Sequence, residues 1–156
     1  MKLKDKDKDK DKDNYSSNSN KNDILVLEKH HNQWIYYLGW VSFVNSLIGF
    51  YNGYYDTAFM IFSGFCTCIN YWRHPTYGFR RNLDIIVTSI VVSYNLFSVI
   101  YCKNAYLFHI IGLSAVGLYF ISKYTRNKST SAFLHCMAHV GAILCNYLLF
   151  TNNICF

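Results

Sequence analysis

Residues Tyr71 to Asp84 read YWRHPTYGFRRNLD. The stretch contains the only proline of the chain, Pro75, and every arginine except Arg126. It also contains Asp84, which shares with Asp56 the whole acidic content beyond Glu28. Apolar segments flank it on both sides. Three arginines at one point of an apolar chain orient a membrane protein, because short cytoplasmic loops retain positive charge. The same stretch sets a histidine and an aspartate at the facing ends of two predicted helices.

Working outward, charge is concentrated in the first 33 of the 156 residues, and the mean hydropathy of +0.07 averages that polar start with an apolar remainder. Beyond Trp34 the chain is a series of blocks rich in Tyr, Phe, Ile and Leu. Soluble domains carry charge on roughly a quarter of their residues throughout. The composition therefore predicts an all-α, polytopic transmembrane helix bundle whose first partner is the lipid bilayer. The net charge of +6 is not read as a nucleic-acid footprint. Residues 2–13 alternate Lys and Asp almost strictly, nearly cancel, and bury nothing. Residues 1–22 are expected to be a disordered, solvated tail, and 23–33 a juxtamembrane segment. The tail lacks the apolar core and small-residue cleavage site of a signal peptide.

A helix crossing ~30 Å of hydrocarbon needs about 20 mostly apolar residues. Five blocks in 34–156 qualify: 34–51, 54–72, 83–101, 105–122 and 132–150. Backbone polar groups must be satisfied inside each span, so these are helices. Asn52-Gly53 predicts a tight turn that makes the first two a hairpin. With five spans the tail, the 73–82 loop and the 123–131 loop share a side. That side carries Lys21, Lys29, Arg73, Arg80, Arg81, Lys123, Arg126 and Lys128, against Lys103 alone on the other. The bias makes the N-terminus cytoplasmic, and the sequons at Asn14 and Asn127 are then expected to stay unmodified. Trp34, Tyr36, Tyr37, Tyr51, Tyr54, Tyr55, Tyr71, Trp72, Tyr101 and Tyr106 fall at segment ends, where amphipathic rings favour the headgroup region. Of the six cysteines, Cys66, Cys68, Cys136 and Cys145 read as packing residues. Cys102 and Cys155 lie near segment ends, where they could pair.

Within the segments, Gly39, Ser42, Ser46 and Gly49 form a helix-packing face. Segment four adds Gly112, Ser114, Ala115 and Gly117, with His109 expected to be a hydrogen-bonded interior residue. Ser63, Thr67, Asn70 and His74 share one face of the second segment. Asp84, Thr88, Asn95 and Ser98 stripe the third, and His135, His139, Ala142 and Asn146 the fifth. Polar groups facing lipid are expensive, so these stripes are expected to face one another. His74, Asp84, His135 and His139 then converge near one depth. His135 and His139, one turn apart, and a third imidazole at His74 would make a three-nitrogen zinc set, with Asp84 beside a bound water. The alternative is structural: His135 interfacial, His139 a packing group, His74 a loop residue, and Asp84 an anion at a helix N-terminus paired with Arg80 or Arg81.

In these residues the chain resembles the superfamily of membrane hydrolases that includes alkaline ceramidases and the adiponectin and progestin receptors. His74, Leu83-Asp84 and His135-Cys136-Met137-Ala138-His139 match its order and spacing. The resemblance implies zinc on His74, His135 and His139, a catalytic Asp84, and hydrolysis of a lipid amide such as a ceramide. That family has seven spans, and its serine, four residues before the histidine, is Asn70 here. The first functional expectation is a structural or interaction protein of the membrane. The second is the zinc-dependent hydrolase or a degenerate relative. Neither a haem-attachment motif nor an internal transporter-like repeat is present.

Overall fold

The computed structural model describes residues 29–100, 102 and 105–151. The Lys/Asp tail, Tyr101, Lys103 and Cys155 lie outside the described residues. The rest is all-α, with five helices: α1 (Lys29–Tyr51), α2 (Tyr55–Trp72), α3 (Phe79–Ser98), α4 (Tyr106–Tyr124) and α5 (Lys128–Thr151). At ~1.5 Å per residue, their 18 to 24 residues span about 27 to 36 Å. Two of them, Tyr106–Tyr124 and Lys128–Thr151, are long and apolar enough to cross a membrane. The others carry more polar groups, with Arg80, Arg81 and Asp84 all inside α3.

Local chemistry explains each boundary. Gly53 has φ 84°, a conformation that costs glycine little. Its N–H donates to the Phe50 carbonyl at 3.2 Å, and the Tyr54 N–H reaches the Gly49 carbonyl at 2.9 Å. This paired closure of a helix C-terminus turns α1 into α2. Pro75 disfavours helical geometry at His74, and α2 stops at Trp72. Gly78, at φ 150°, adopts a second conformation suited to glycine immediately before α3. Helix α3 thus begins at Phe79, four residues before the start expected at 83. Asn127 caps α5: its Oδ1 accepts the Ser129 N–H at 2.9 Å.

In space the helices follow the order α3, α2, α1, α5, α4, each packed closely on the next. Helices α3 and α4 are chain neighbours but approach mainly through side chains, as where Leu96 fills the space beside Gly112. At one end Val99, Ala105, Phe108, Leu149 and Phe150 cluster, with Tyr54 and Cys102 against them. At the other end Ile35, Cys68, Tyr71 and Trp72 cluster, with Tyr36 and Cys136 against them. Successive helices therefore run antiparallel. The 73–78 and 125–127 connections come to the same end, so Arg73, Arg80, Arg81, Lys123, Arg126 and Lys128 gather there.

Polar side chains join helices inside the bundle. Asn45 Nδ2 donates to the Ile143 carbonyl at 2.8 Å, tying α1 to α5. In the turn after α1, the exposed Asn52 donates through Nδ2 to the Phe150 carbonyl at 3.0 Å. Asn95 Nδ2 reaches Asn146 Oδ1 at 3.3 Å, the polar link between α3 and α5. The outside is the reverse. Trp40, Val44, Leu47, Phe59, Ile86, Ile90, Phe97, Ile110, Leu113, Phe120, Phe133 and Leu144 are all exposed, so every helix contributes to an apolar jacket.

The glycine face of α1 is a packing face. A Cβ at Gly49 would stand 2.6 Å from Phe150 Cζ, and one at Gly39 3.0 Å from Ile69 Cδ1. On α4 the expectation holds for Gly112, which faces Leu96 of α3 and Cys145 of α5, and for Ala115, which packs on Gly141 of α5, but Gly117 faces open space. His109 is hydrogen-bonded, with Nδ1 2.8 Å from the Ala105 carbonyl. The rings at the end of α2 depart from the expected interfacial placement. Tyr71 and Trp72 are only 4% and 5% exposed and form part of the interior, while Trp34, Tyr37, Tyr51, Tyr55 and Tyr106 are exposed.

Candidate functional site

The polar interior of the arginine-bearing end is built by α2, α3, α4 and α5. On α5, His135 and His139 are one turn apart and their ring centroids are separated by 5.1 Å. The His135 ring meets Trp72 of α2 at 5.3 Å and Tyr119 of α4 at 5.3 Å. It is thereby wedged among three helices. Among the described residues neither imidazole has a hydrogen-bond partner. Trp72 Nε1 is likewise buried without one.

Asp84 enters from α3. Because α3 begins at Phe79, Asp84 lies in the second turn and the first turn holds no acid. The expected role as an anion at the helix N-terminus is therefore removed, since that attraction falls off within one turn. The expected pairing with Arg80 or Arg81 is also absent among the described residues: Arg81 stacks over the Tyr77 ring at 4.9 Å. One carboxylate oxygen of Asp84, Oδ1, is buried with no hydrogen-bond partner. The Thr67 hydroxyl, which donates to the Gly64 carbonyl at 3.0 Å, lies beside the carboxyl. Cys68, Tyr71 and Tyr119 are within electrostatic reach of it. Tyr119 thus touches both halves of the arrangement, by charge towards Asp84 and by ring contact towards His135.

His74 is placed differently. It follows α2, its N–H donates to the Tyr71 carbonyl at 3.2 Å, and its own carbonyl accepts the Thr76 N–H at 2.9 Å. Its side chain is exposed, and so is that of Asn70. The second-segment stripe consequently divides: Ser63 and Thr67 are half-buried, while its last two members face out. On α3, Asp84 and Asn95 point inward, whereas Thr88 and Ser98 are exposed. The α5 stripe is half-buried along its whole length.

No group of three His, Cys, Asp or Glu side chains among the described residues is arranged to hold a metal ion. His135 and His139 form a pair, and among the described residues neither His74 nor Asp84 completes a set with them. A zinc ion needs four ligands in tetrahedral array, at least three of them from protein in a catalytic site. The residues as arranged do not fit that ion.

Tyr119, Tyr71 and Trp72 wall the site, and reading polar stripes alone passed over them. Tyr119 lies in the fourth segment, where only the small residues and His109 had been singled out. Trp72 and Tyr71 carried the signal of an interfacial belt because they end a segment. Comparison with protein-family models, curated proteins and solved structures finds no match for this chain.

Proposed function

We propose that the chain is an integral, multi-pass membrane protein in which all five helices cross the bilayer, with the N-terminus cytoplasmic. Its role in this reading is structural or that of an interaction partner in the membrane, with the lipid bilayer as its immediate environment. The observation that carries the reading is the apolar jacket: large hydrophobic side chains are exposed on all five helices, while Asn45, Asn95, Ser46 and Ser122 are buried. Soluble monomers rarely expose contiguous apolar patches beyond a few hundred Å². A bilayer instead favours polar groups turned inward and apolar ones outward. The gathering of six basic residues at one end supports the orientation.

The polar interior of the arginine-bearing end serves helix association in this account. The lipid-amide hydrolase implied by the family resemblance would require His74 beside His135 and His139, and no observation favours it. Metal analysis of the purified protein tests that reading separately. Stoichiometric zinc in the wild type, lost in both His135→Ala and His139→Ala, would restore it.

A topology reporter fused after Phe156 tests the main proposal. The expected result is a non-cytoplasmic signal there and a cytoplasmic one from a fusion ahead of Met1. A cytoplasmic reading at both termini would overturn the five-crossing arrangement.

A further inference from the structure

Helices α3 and α4 meet through side chains rather than by close backbone approach, which leaves a seam between them. Its deep end is closed by Leu96, whose Cδ2 would stand 3.2 Å from a Cβ at Gly112. On α4, Gly112, Val116, Tyr119 and Lys123 recur at steps of four, three and four and share one face. On α3, Arg81, Ile85, Thr88, Val92 and Leu96 do the same. The two helices run antiparallel. Counting turns from the Leu96–Gly112 contact brings Ile85 level with Lys123 and sets Arg81 one turn further out, at the arginine-bearing end. Arg81 lies within electrostatic reach of Tyr119, one turn before Lys123, so cations from both helices converge on this mouth of the seam.

The seam is open on that side and its charge is uncompensated. Thr88 is exposed although it shares a face with Leu96, and its hydroxyl has no hydrogen-bond partner among the described residues. The neighbouring Ser89 hydroxyl instead donates to the Ile85 carbonyl at 2.7 Å. Arg81 stacks on the Tyr77 ring at 4.9 Å, and neither it nor Lys123 forms an ion pair among the described residues. The depth of the seam is also defined. Lys123 is eleven positions beyond Gly112, which at ~1.5 Å per residue is about 16 Å. That is about half of the ~30 Å hydrocarbon thickness, the depth of a single leaflet.

We propose that the mouth of this seam binds an anionic glycerophospholipid, with its phosphate between Arg81 and Lys123 and one acyl chain lying along the seam to Leu96. The inference rests on the five-crossing reading and adds a specific ligand to it. Arginine offers phosphate oxygens a planar fork of N–H donors, and lysine adds a point charge. Anionic lipids enrich the cytoplasmic leaflet, and basic pockets between helices on that side suit their head groups. The Thr88 hydroxyl, about one turn below Ile85, meets the ester carbonyls, which are acceptors that acyl chains lack. A zwitterionic lipid supplies the same chain and phosphate but brings an ammonium towards two uncompensated cations, and like charges repel. The site therefore selects net negative charge.

The test uses the purified full chain in detergent micelles, with radiolabelled phosphatidylglycerol as the probe. Binding is expected to saturate and to be displaced by unlabelled phosphatidylglycerol, about tenfold more weakly by phosphatidylcholine, and not by inorganic phosphate. Arg81→Gln and Lys123→Gln are each expected to weaken it about tenfold, the usual scale of one charge-assisted contact. Arg126→Gln removes the same charge from the same end and is expected to leave binding unchanged. Lys123 is exposed near the end of α4, so its replacement leaves the packing intact even if Arg81→Gln does not fold. Equal displacement by phosphatidylcholine, displacement by inorganic phosphate, or equal losses in Lys123→Gln and Arg126→Gln would overturn the proposal. A glycosylation tag after Phe156 separates the two levels. A glycosylated tag without selective binding sinks the lipid site alone, while selective binding with an unglycosylated tag sinks the five-crossing arrangement alone.

Discussion

At the scale of single residues, Gly49 is the described glycine with least room for a side chain: an added Cβ would meet the Phe150 ring at 2.6 to 2.9 Å. Phe150 is buried and also packs on Tyr54 at 5.4 Å, so the ring has little room to yield. Gly49→Ala is expected to destabilise the protein by about 1–3 kcal/mol, the usual cost of overpacking. Gly117 has nothing within 4 Å of an added Cβ. Gly117→Ala is expected to be neutral or to stabilise by up to about 1 kcal/mol through helix propensity. Thermal unfolding in detergent, comparing the two variants with wild type, checks the contrast. Equal shifts would mean that the α1–α5 contact is not as close as described.

The Asn95–Asn146 contact belongs to the same scale. Hydrogen bonds between helices in membranes average about 0.6 kcal/mol by double-mutant cycles. The coupling between Asn95→Ala and Asn146→Ala is expected near that value, measured as non-additivity in unfolding free energy. Strictly additive effects would show that the two amides do not pair. Spacing alone put both asparagines on inward stripes. What it did not supply was the partner choice, because Asn146 shares a stripe with His135 and His139 that gives no preference among helices.

At the scale of the elements, α4 separates a membrane helix from a surface helix of a soluble bundle. Leu113 is 60% exposed and central in α4, where a soluble protein would accept a charge. Within a bilayer, an arginine at the centre of a helix costs about 2.5–3.5 kcal/mol of insertion free energy. Leu113→Arg is therefore expected to reduce membrane integration of α4 markedly, scored by glycosylation-based insertion of the segment. Full integration of the variant would contradict a lipid-facing Leu113. Helix α3 shows the limit of reading by segments. Its start at Phe79 depends on Gly78 rather than on hydropathy, and the four-residue shift carries Asp84 from a helix terminus into the bundle wall. The Pro75 effect at His74 was visible in the sequence, yet its consequence, that the last turn of the α2 stripe is lost to the interior, needed the path of the loop.

At the scale of the whole molecule, the antiparallel order joins the sequence-level charge asymmetry to geometry. Arg73, Arg80, Arg81, Lys123, Arg126 and Lys128 are scattered over more than fifty positions, and the alternation of helix directions gathers them at one end. The candidate site occupies the interior of that same end. There Tyr119 stands between Asp84 of α3 and the histidine pair of α5, with no ion pair among the described residues and aromatic rings as walls. Its order along the chain was legible as His and Asp spacing. Its membership was not: Tyr119 joined it and His74 left it.

The amino-acid sequence by itself determined the number and approximate extent of the helices, the hairpin at Asn52-Gly53, the small-residue face of α1 and the clustering of positive charge. These follow from local periodicity, backbone restriction at Gly and Pro, and composition, all of which act over a few residues. Tertiary structure alone decided which polar residues share an environment. Helix rotation, the exact start of α3 and the neighbour order α3, α2, α1, α5, α4 emerge from side-chain packing among segments distant in the chain. For that reason the pair His135–His139 persisted, being fixed by one helix. The three-histidine set did not, since it required two helices and a loop to agree.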